Sequence, residues 1–128
     1  MFSHIMIGSN DTDRAKAFYD ATLGALGVRP GRVDDRGRVI YMQNGNLFLV
    51  TRPIDGEPAS HANGGTIGFA AASPEQADAW HAAGVAHGGT AIEDAPGVRQ
   101  GGAIGPLYLA YLRDPDGNKL CALHRVAA

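Results

Sequence analysis

His4-Ile5-Met6-Ile7 and Thr66-Ile67-Gly68-Phe69 begin two halves of one repeated pattern. Laid over each other at an offset of 62, the halves run on without a gap. Asp11 faces Ser73, Ala15 faces Ala77, Ala17 faces Ala79, Phe18 faces Trp80, Ala21 faces Ala83 and Gly27 faces Gly89. In the first half Ala15, Phe18, Tyr19, Thr22 and Leu23 recur at the i, i+3, i+4, i+7, i+8 spacing of one helix face. Asp11 supplies an N-cap oxygen, and Gly24 and Gly27 end the helix. The second helix has a fuller start: Ser73 as cap, Pro74 at the first helical position, and Gln76 three residues after the cap.

The far ends of the halves also match. Asn44-Gly45-Asn46 lies over Asp116-Gly117-Asn118 at an offset of 72, which sets Leu47-Phe48-Leu49 over Lys119-Leu120-Cys121. The second half therefore carries one insertion, most easily placed in the glycine-rich stretch Pro96 to Pro106. Working outward, Ser3 to Gly8 reads as a strand, and Arg29 to Arg38 as the strand after the helix. Val39 to Gln43 and Leu47 to Thr51 form a hairpin, because both residues of an Asn-Gly turn tolerate positive φ. Each half is thus strand-helix-strand-strand-strand, and the fold class expected is α+β with two βαβββ units. Pro53 to Gly65 has turn-forming residues and no periodicity, and reads as a linker. The expected organisation is a single domain, 1–128, with units at about 1–52 and 64–126 joined at about 53–63.

Composition narrows the function classes. A chain of 128 residues has room for one hydrophobic core, and 45% hydrophobic against 19% charged residues is a globular balance. Eleven Lys and Arg against thirteen Asp and Glu leave a net charge of -2, with no long-range attraction to nucleic acid or to an anionic membrane. The lone Cys121 cannot close an internal disulfide, and no stretch approaches the ~20 apolar residues of a membrane span. The expectation is a cytoplasmic protein with no nucleic-acid and no membrane partner. Asp114-Pro115-Asp116-Gly117-Asn118 resembles the start of a calcium loop but lacks the later spacing and the bidentate Glu, so it reads as a turn. Gly101-Gly102-Ala103-Ile104-Gly105 lacks the Lys-Ser/Thr of a phosphate loop.

Two βαβββ units, an opening strand with His4, the helix Arg14-Ala15-Lys16-Ala17-Phe18-Tyr19-Asp20 with Leu23-Gly24, and the closing Arg113-Asp114-Pro115-Asp116-Gly117-Asn118 hairpin resemble the vicinal oxygen chelate superfamily. That superfamily holds glyoxalase I, the bleomycin-resistance proteins and the extradiol dioxygenases. The resemblance covers nearly the whole chain. It implies that the sheets curl into a half-open bowl with a pocket in the concavity, and that members often pair as homodimers.

The resemblance also implies four metal-ligand positions, on the first and last strand of each unit. In this chain they are His4, Leu49, Thr66 and Cys121. Members with a full site carry His, Glu or Gln there, since a divalent metal that polarises a substrate oxygen needs several donors. Leu49 cannot bind a metal, Thr66 is a poor neutral donor, and Cys121 binds only as a thiolate. His4 and Cys121 remain as an incomplete metal site, for zinc, nickel, iron or manganese. A histidine on an apolar strand is equally a rim residue bonded to a neighbour, and a buried cysteine is a common core residue. Tyr108, Ala110 and Leu112 alternate with Leu107, Leu109 and Tyr111, so either Tyr108 or Tyr111 faces the pocket. Pro96 to Pro106, with four glycines and Arg99, is expected to form a mobile lid, and Arg99 favours an anionic ligand.

Two functions follow. One is a protein that binds a small organic molecule without a complete metal site and without a cofactor, in the manner of the bleomycin-resistance branch. The alternative is a metal-dependent lyase or dioxygenase using His4 as a ligand. As an enzyme, a lyase would still need a base, and no carboxylate occupies any of the four positions.

Overall fold

The computed structural model describes residues 1–126. The first unit comprises β1 (His4–Gly8), α1 (Thr12–Ala25), β2 (Arg32–Val33), β3 (Val39–Gln43) and β4 (Asn46–Thr51). Residues 52–66 contain no helix or strand. The second unit comprises β5 (Ile67–Ala70), α2 (Pro74–Ala86), β6 (Thr90–Ala91), β7 (Gly97–Gln100), β8 (Pro106–Arg113) and β9 (Lys119–Arg125). The class is α+β. One mixed sheet has the order β1-β4-β3-β2; the other runs β5-β9-β8-β6, with β7 also on β8.

The strand register bears out the internal alignment. Met6 pairs with Leu49 in the parallel β1–β4 ladder, and Gly68 pairs with Cys121 in the parallel β5–β9 ladder. In the antiparallel hairpins Ile40 faces Leu49 while Tyr111 faces Cys121. Most of the insertion therefore precedes β8, and one residue of it falls in the closing hairpin. The Asn44-Gly45 turn has φ values of 52° and 81°, as the sequence required.

Both helices begin and end by the same devices. Asp11 accepts from the Arg14 N–H at 3.0 Å and Ser73 from the Gln76 N–H at 3.1 Å. Gln76 reaches back to the Ala72 N–H at 2.8 Å. At the C-termini, Val28 N–H donates to the Leu23 carbonyl and Gly89 N–H to the Gly84 carbonyl, with Gly27 and Gly88 at positive φ. The equivalent of Gly27 is thus Gly88 and not Gly89, because α2 is one residue shorter than α1.

Three expectations need correction. Arg29 to Arg38 yields only the two-residue β2, because Asp34 Oδ1 accepts from the N–H groups of Arg36 and Arg38 and folds Asp34 to Arg38 into a turn. Thr66 lies just before β5, outside the strand. Pro96 to Pro106 is not a free lid: Gly97 to Gln100 is hydrogen-bonded along β8, and Gly102 to Ile104 forms a 3-10 turn closed by the Gly101 N–H on the Gly105 carbonyl. Glycine richness signalled backbone freedom, but the β8 edge had unpaired N–H and C=O groups to satisfy.

The two units join through their helices. Phe18, Tyr19, Ala77 and Trp80 are fully buried, and truncating a ring as large as Phe18 or Trp80 costs about 3–5 kcal/mol. Gly84 lets the helices approach, since a Cβ there would overlap Leu112 and sit 3.3 Å from Phe18 and Thr22. Tyr19 OH donates to Asp114 Oδ2 at 2.5 Å, while Asp114 Oδ1 accepts from the N–H groups of Asp116 and Asn118. Asp116 in turn accepts from Asn10 N–H and Arg14. The aromatic pair of α1 and the Asp-Pro-Asp-Gly-Asn turn are therefore one contact between units. Burial first, and the Asp114 charge second, hold the Tyr19 hydroxyl well above its ordinary pKa, so it stays a donor.

Candidate functional site

The open strands β1 and β5 flank a cavity of about 410 Å³ where the units meet. That volume lies within the range of small-molecule sites, roughly 300–1,000 Å³. Its walls come from elements that the fold brings together late. Ile5, Phe48, Ile67 and Phe69 supply the inner faces of the strands, and Leu26 and Val28 the end of α1. Phe48 and Phe69 meet edge to face with centroids 5.4 Å apart, so the floor joins both units. Tyr41 presents its ring, because its hydroxyl donates to Asp20 Oδ1 at 2.8 Å. Burial would raise the Asp20 carboxyl, but hydrogen bonds from Lys16, the Gly31 N–H and Tyr41 outweigh it and hold the group below the usual carboxylate range. The polar points on the wall are Ser3, His4, Gln43 and Asn46. His4 Nδ1 lies 2.8 Å from Ser3 Oγ, which fixes the ring orientation.

Of the residues singled out from the sequence, His4 alone lines this cavity. Leu49 pairs with Met6 two positions along β1 and is buried, and Thr66 is exposed at the approach to β5. Cys121 sits in the other sheet, packed in a small cluster with Leu107, Leu109, Tyr111 and Leu123. Burial raises its thiol against the weaker pull of a hydrogen bond with Tyr111, so it is held as a neutral thiol. Tyr111 shares that sheet face, with Lys119 Nζ 5.1 Å above its ring and ion-paired to Glu93. Tyr108 faces the helices, where its hydroxyl donates to Asp78 at 2.7 Å; that bond, ahead of burial, raises its pKa. The Arg99 guanidinium donates to the carbonyls of Gly97, Asp94 and Ala95 and fastens its own loop. The cavity walls Tyr41, Phe48, Phe69, Leu26 and Val28 were missed. Tyr41, Phe48 and Phe69 lie on strands and Leu26 and Val28 just past α1, and only unit-on-unit packing decides which of them border a void.

These residues do not fit the metal centre that the superfamily implies. Its four positions hold one imidazole and one neutral buried thiol in different sheets, and among the described residues no three His, Cys, Asp or Glu side chains gather to hold an ion. Among the described residues no helix is long and apolar enough to cross a membrane.

The profile of the Glyoxalase/Bleomycin resistance protein/Dioxygenase superfamily matches residues 1–122, and the chain belongs to that family. It is similar to a glyoxalase/bleomycin resistance protein from Albidiferax ferrireducens T118, with 60% identity, a TM-score of 0.93, and coverage of 98% of this chain and 99% of that one. A glyoxalase/bleomycin resistance protein/dioxygenase family enzyme from Burkholderia phytofirmans PsJN shares the fold at 17% identity and a TM-score of 0.72, covering 97% and 98% of the two chains. A glyoxalase-related enzyme from Fulvimarina pelagi does so at 19% and 0.69, covering 96% and 86%. No curated protein matches the sequence.

Proposed function

We propose that this protein binds a small organic molecule without a complete metal site. The observation that carries this reading is the set of side chains at the family's four ligand positions: His4, Leu49, Thr66 and Cys121. A two-donor site binds weakly, and binds more weakly as imidazole and thiol take up protons. Metal-assisted proton transfer would also lack a base, since none of the four positions holds a carboxylate. The test is elemental analysis of the purified protein and of His4→Ala. The reading expects well under one equivalent of any transition metal in both. A stoichiometric metal that disappears in His4→Ala would instead support a lyase or dioxygenase using His4 as a ligand. What favours that second reading is the exposed position of His4 on the cavity wall.

We further propose a homodimer. Among the described residues the edge strands β1 and β5 each lack a partner on one side, and Met6 and Met42 expose apolar surface on the first sheet. Light scattering at micromolar concentration is expected to return twice the chain mass; the mass of one chain would contradict this.

A further inference from the structure

We propose that the cavity between β1 and β5 is the ligand site, and that its ligand class is an uncharged aromatic compound carrying a hydrogen-bonding group near one end. This rests on the small-molecule reading above and adds a place and a chemistry to it. Neither follows from the four ligand positions, of which only His4 touches the cavity.

Three features point to that class. Phe2, Tyr41, Phe48 and Phe69 put aromatic rings on the wall, and rings favour a ring partner in edge-to-face or offset geometry. None of the described side chains lining the cavity is Asp, Glu, Lys or Arg. Apart from the α-ammonium of exposed Met1 at the rim, a charged ligand would leave water without a counter-charge, which is costly, whereas an uncharged one loses little. The polar points are clustered on one part of the wall: Ser3 and His4 at the start of β1, with Gln43 and Asn46 flanking the β3–β4 turn. His4, steered by Ser3 through Nδ1, keeps Nε2 to meet a ligand hydroxyl or carbonyl.

The geometry also supplies a clean way to close the site. Ile67 lines the cavity from β5 on the same face as Phe69, and it is only partly buried. Ile67→Trp therefore adds a ring on the cavity side, and Val28→Trp does the same from the end of α1.

The experiment titrates the protein with two fluorescent probes of one skeleton, N-phenylnaphthylamine, which is uncharged, and anilinonaphthalenesulfonate, which carries a sulfonate. Ile104→Ser, at an exposed residue outside the cavity, controls for surface adsorption. The expected result is saturable binding of the uncharged probe, with the sulfonate about tenfold weaker. Ile67→Trp should weaken the uncharged probe about tenfold, and Ile104→Ser should leave it unchanged. Equal affinity for both probes, lost together in Ile67→Trp, would overturn the ligand class. Saturable binding that survives both Ile67→Trp and Val28→Trp would overturn the location while leaving the small-molecule reading in place. Absence of saturable binding by either probe would overturn the inference and count against that reading too.

Discussion

Met6 and Gly68 hold the same place in the two units, and so do Leu49 and Cys121, yet the sheet faces they belong to differ. On the first sheet Leu49 is buried, but Met6 and Met42 beside it stand out at 42% and 66% exposure. On the second it closes over Leu107, Leu109 and Cys121, the last only 4% exposed. The insertion accounts for much of the contrast. It gives β8 an extra neighbour, β7, and the Glu93–Lys119 pair outside the insertion covers Tyr111. One template has thus been turned into an open face and a sealed one, and neither retains the donor set of a metal centre. The void that remains lies between the units.

The largest effect should come from the hairpins that close the units. Asp114 accepts hydrogen bonds from Tyr19, Asn118 and two backbone N–H groups, whereas Gln43, at the corresponding strand end, is exposed. Asp114→Ala removes the acceptor of four donors, leaving the buried Tyr19 hydroxyl and Asn118 N–H unpaired, and should cost about 3 kcal/mol or more in urea denaturation; Gln43→Ala should fall within about 0.5 kcal/mol. Equal costs would mean that the turn does not join the units.

Helix packing provides the next comparison. Gly84 holds at the end of α2 the place that Leu23 holds in α1, each accepting from the N–H five residues on. A side chain there meets Leu112, Phe18 and Thr22. Gly84→Val should lower stability by about 1–3 kcal/mol through overpacking, while Gly68→Leu, which enters open space, should change it by less than about 0.5 kcal/mol. Thermal melts of both variants test the difference.

The closed and open faces should also respond differently to alkali. In the unfolded chain the Cys121 thiol ionises at about pH 8.5, but in the fold burial raises it. The unfolded state then holds fewer protons than the native state, so stability falls as pH rises from the ordinary thiol range toward the folded pKa. Urea midpoints measured across that range should drop more steeply for the natural protein than for Cys121→Ala. Leu49→Ala, at the matching position of the first unit, should leave the slope unchanged. The smallest effect belongs to Lys119→Ala, because an exposed pair such as Glu93–Lys119 contributes about 0–1 kcal/mol.

These contrasts also explain what the sequence could and could not disclose. The face Ala15, Phe18, Tyr19, Thr22 and Leu23 is legible because helix period and burial coincide, and all five are buried. The Asn44-Gly45 turn and the Ser73 cap are legible because their chemistry is local. The partner of Tyr19 was not, since Asp114 lies 95 positions away and is reached only when the units dock. β7 was missed for a related reason: Gly97 to Gln100 has weak strand propensity and pairs because β8 offers an edge. The candidate site was legible only in part. His4 stood out as a donor, but the cavity it borders is a property of two packed units.

Metal-independent ligand binding is the central claim, and the affinity of N-phenylnaphthylamine before and after exhaustive chelation tests it most directly. The account predicts the same dissociation constant in both samples, and no change when zinc, nickel, iron or manganese is restored. Loss of binding on chelation, recovered by one of those metals in the natural protein but not in His4→Ala, would contradict it.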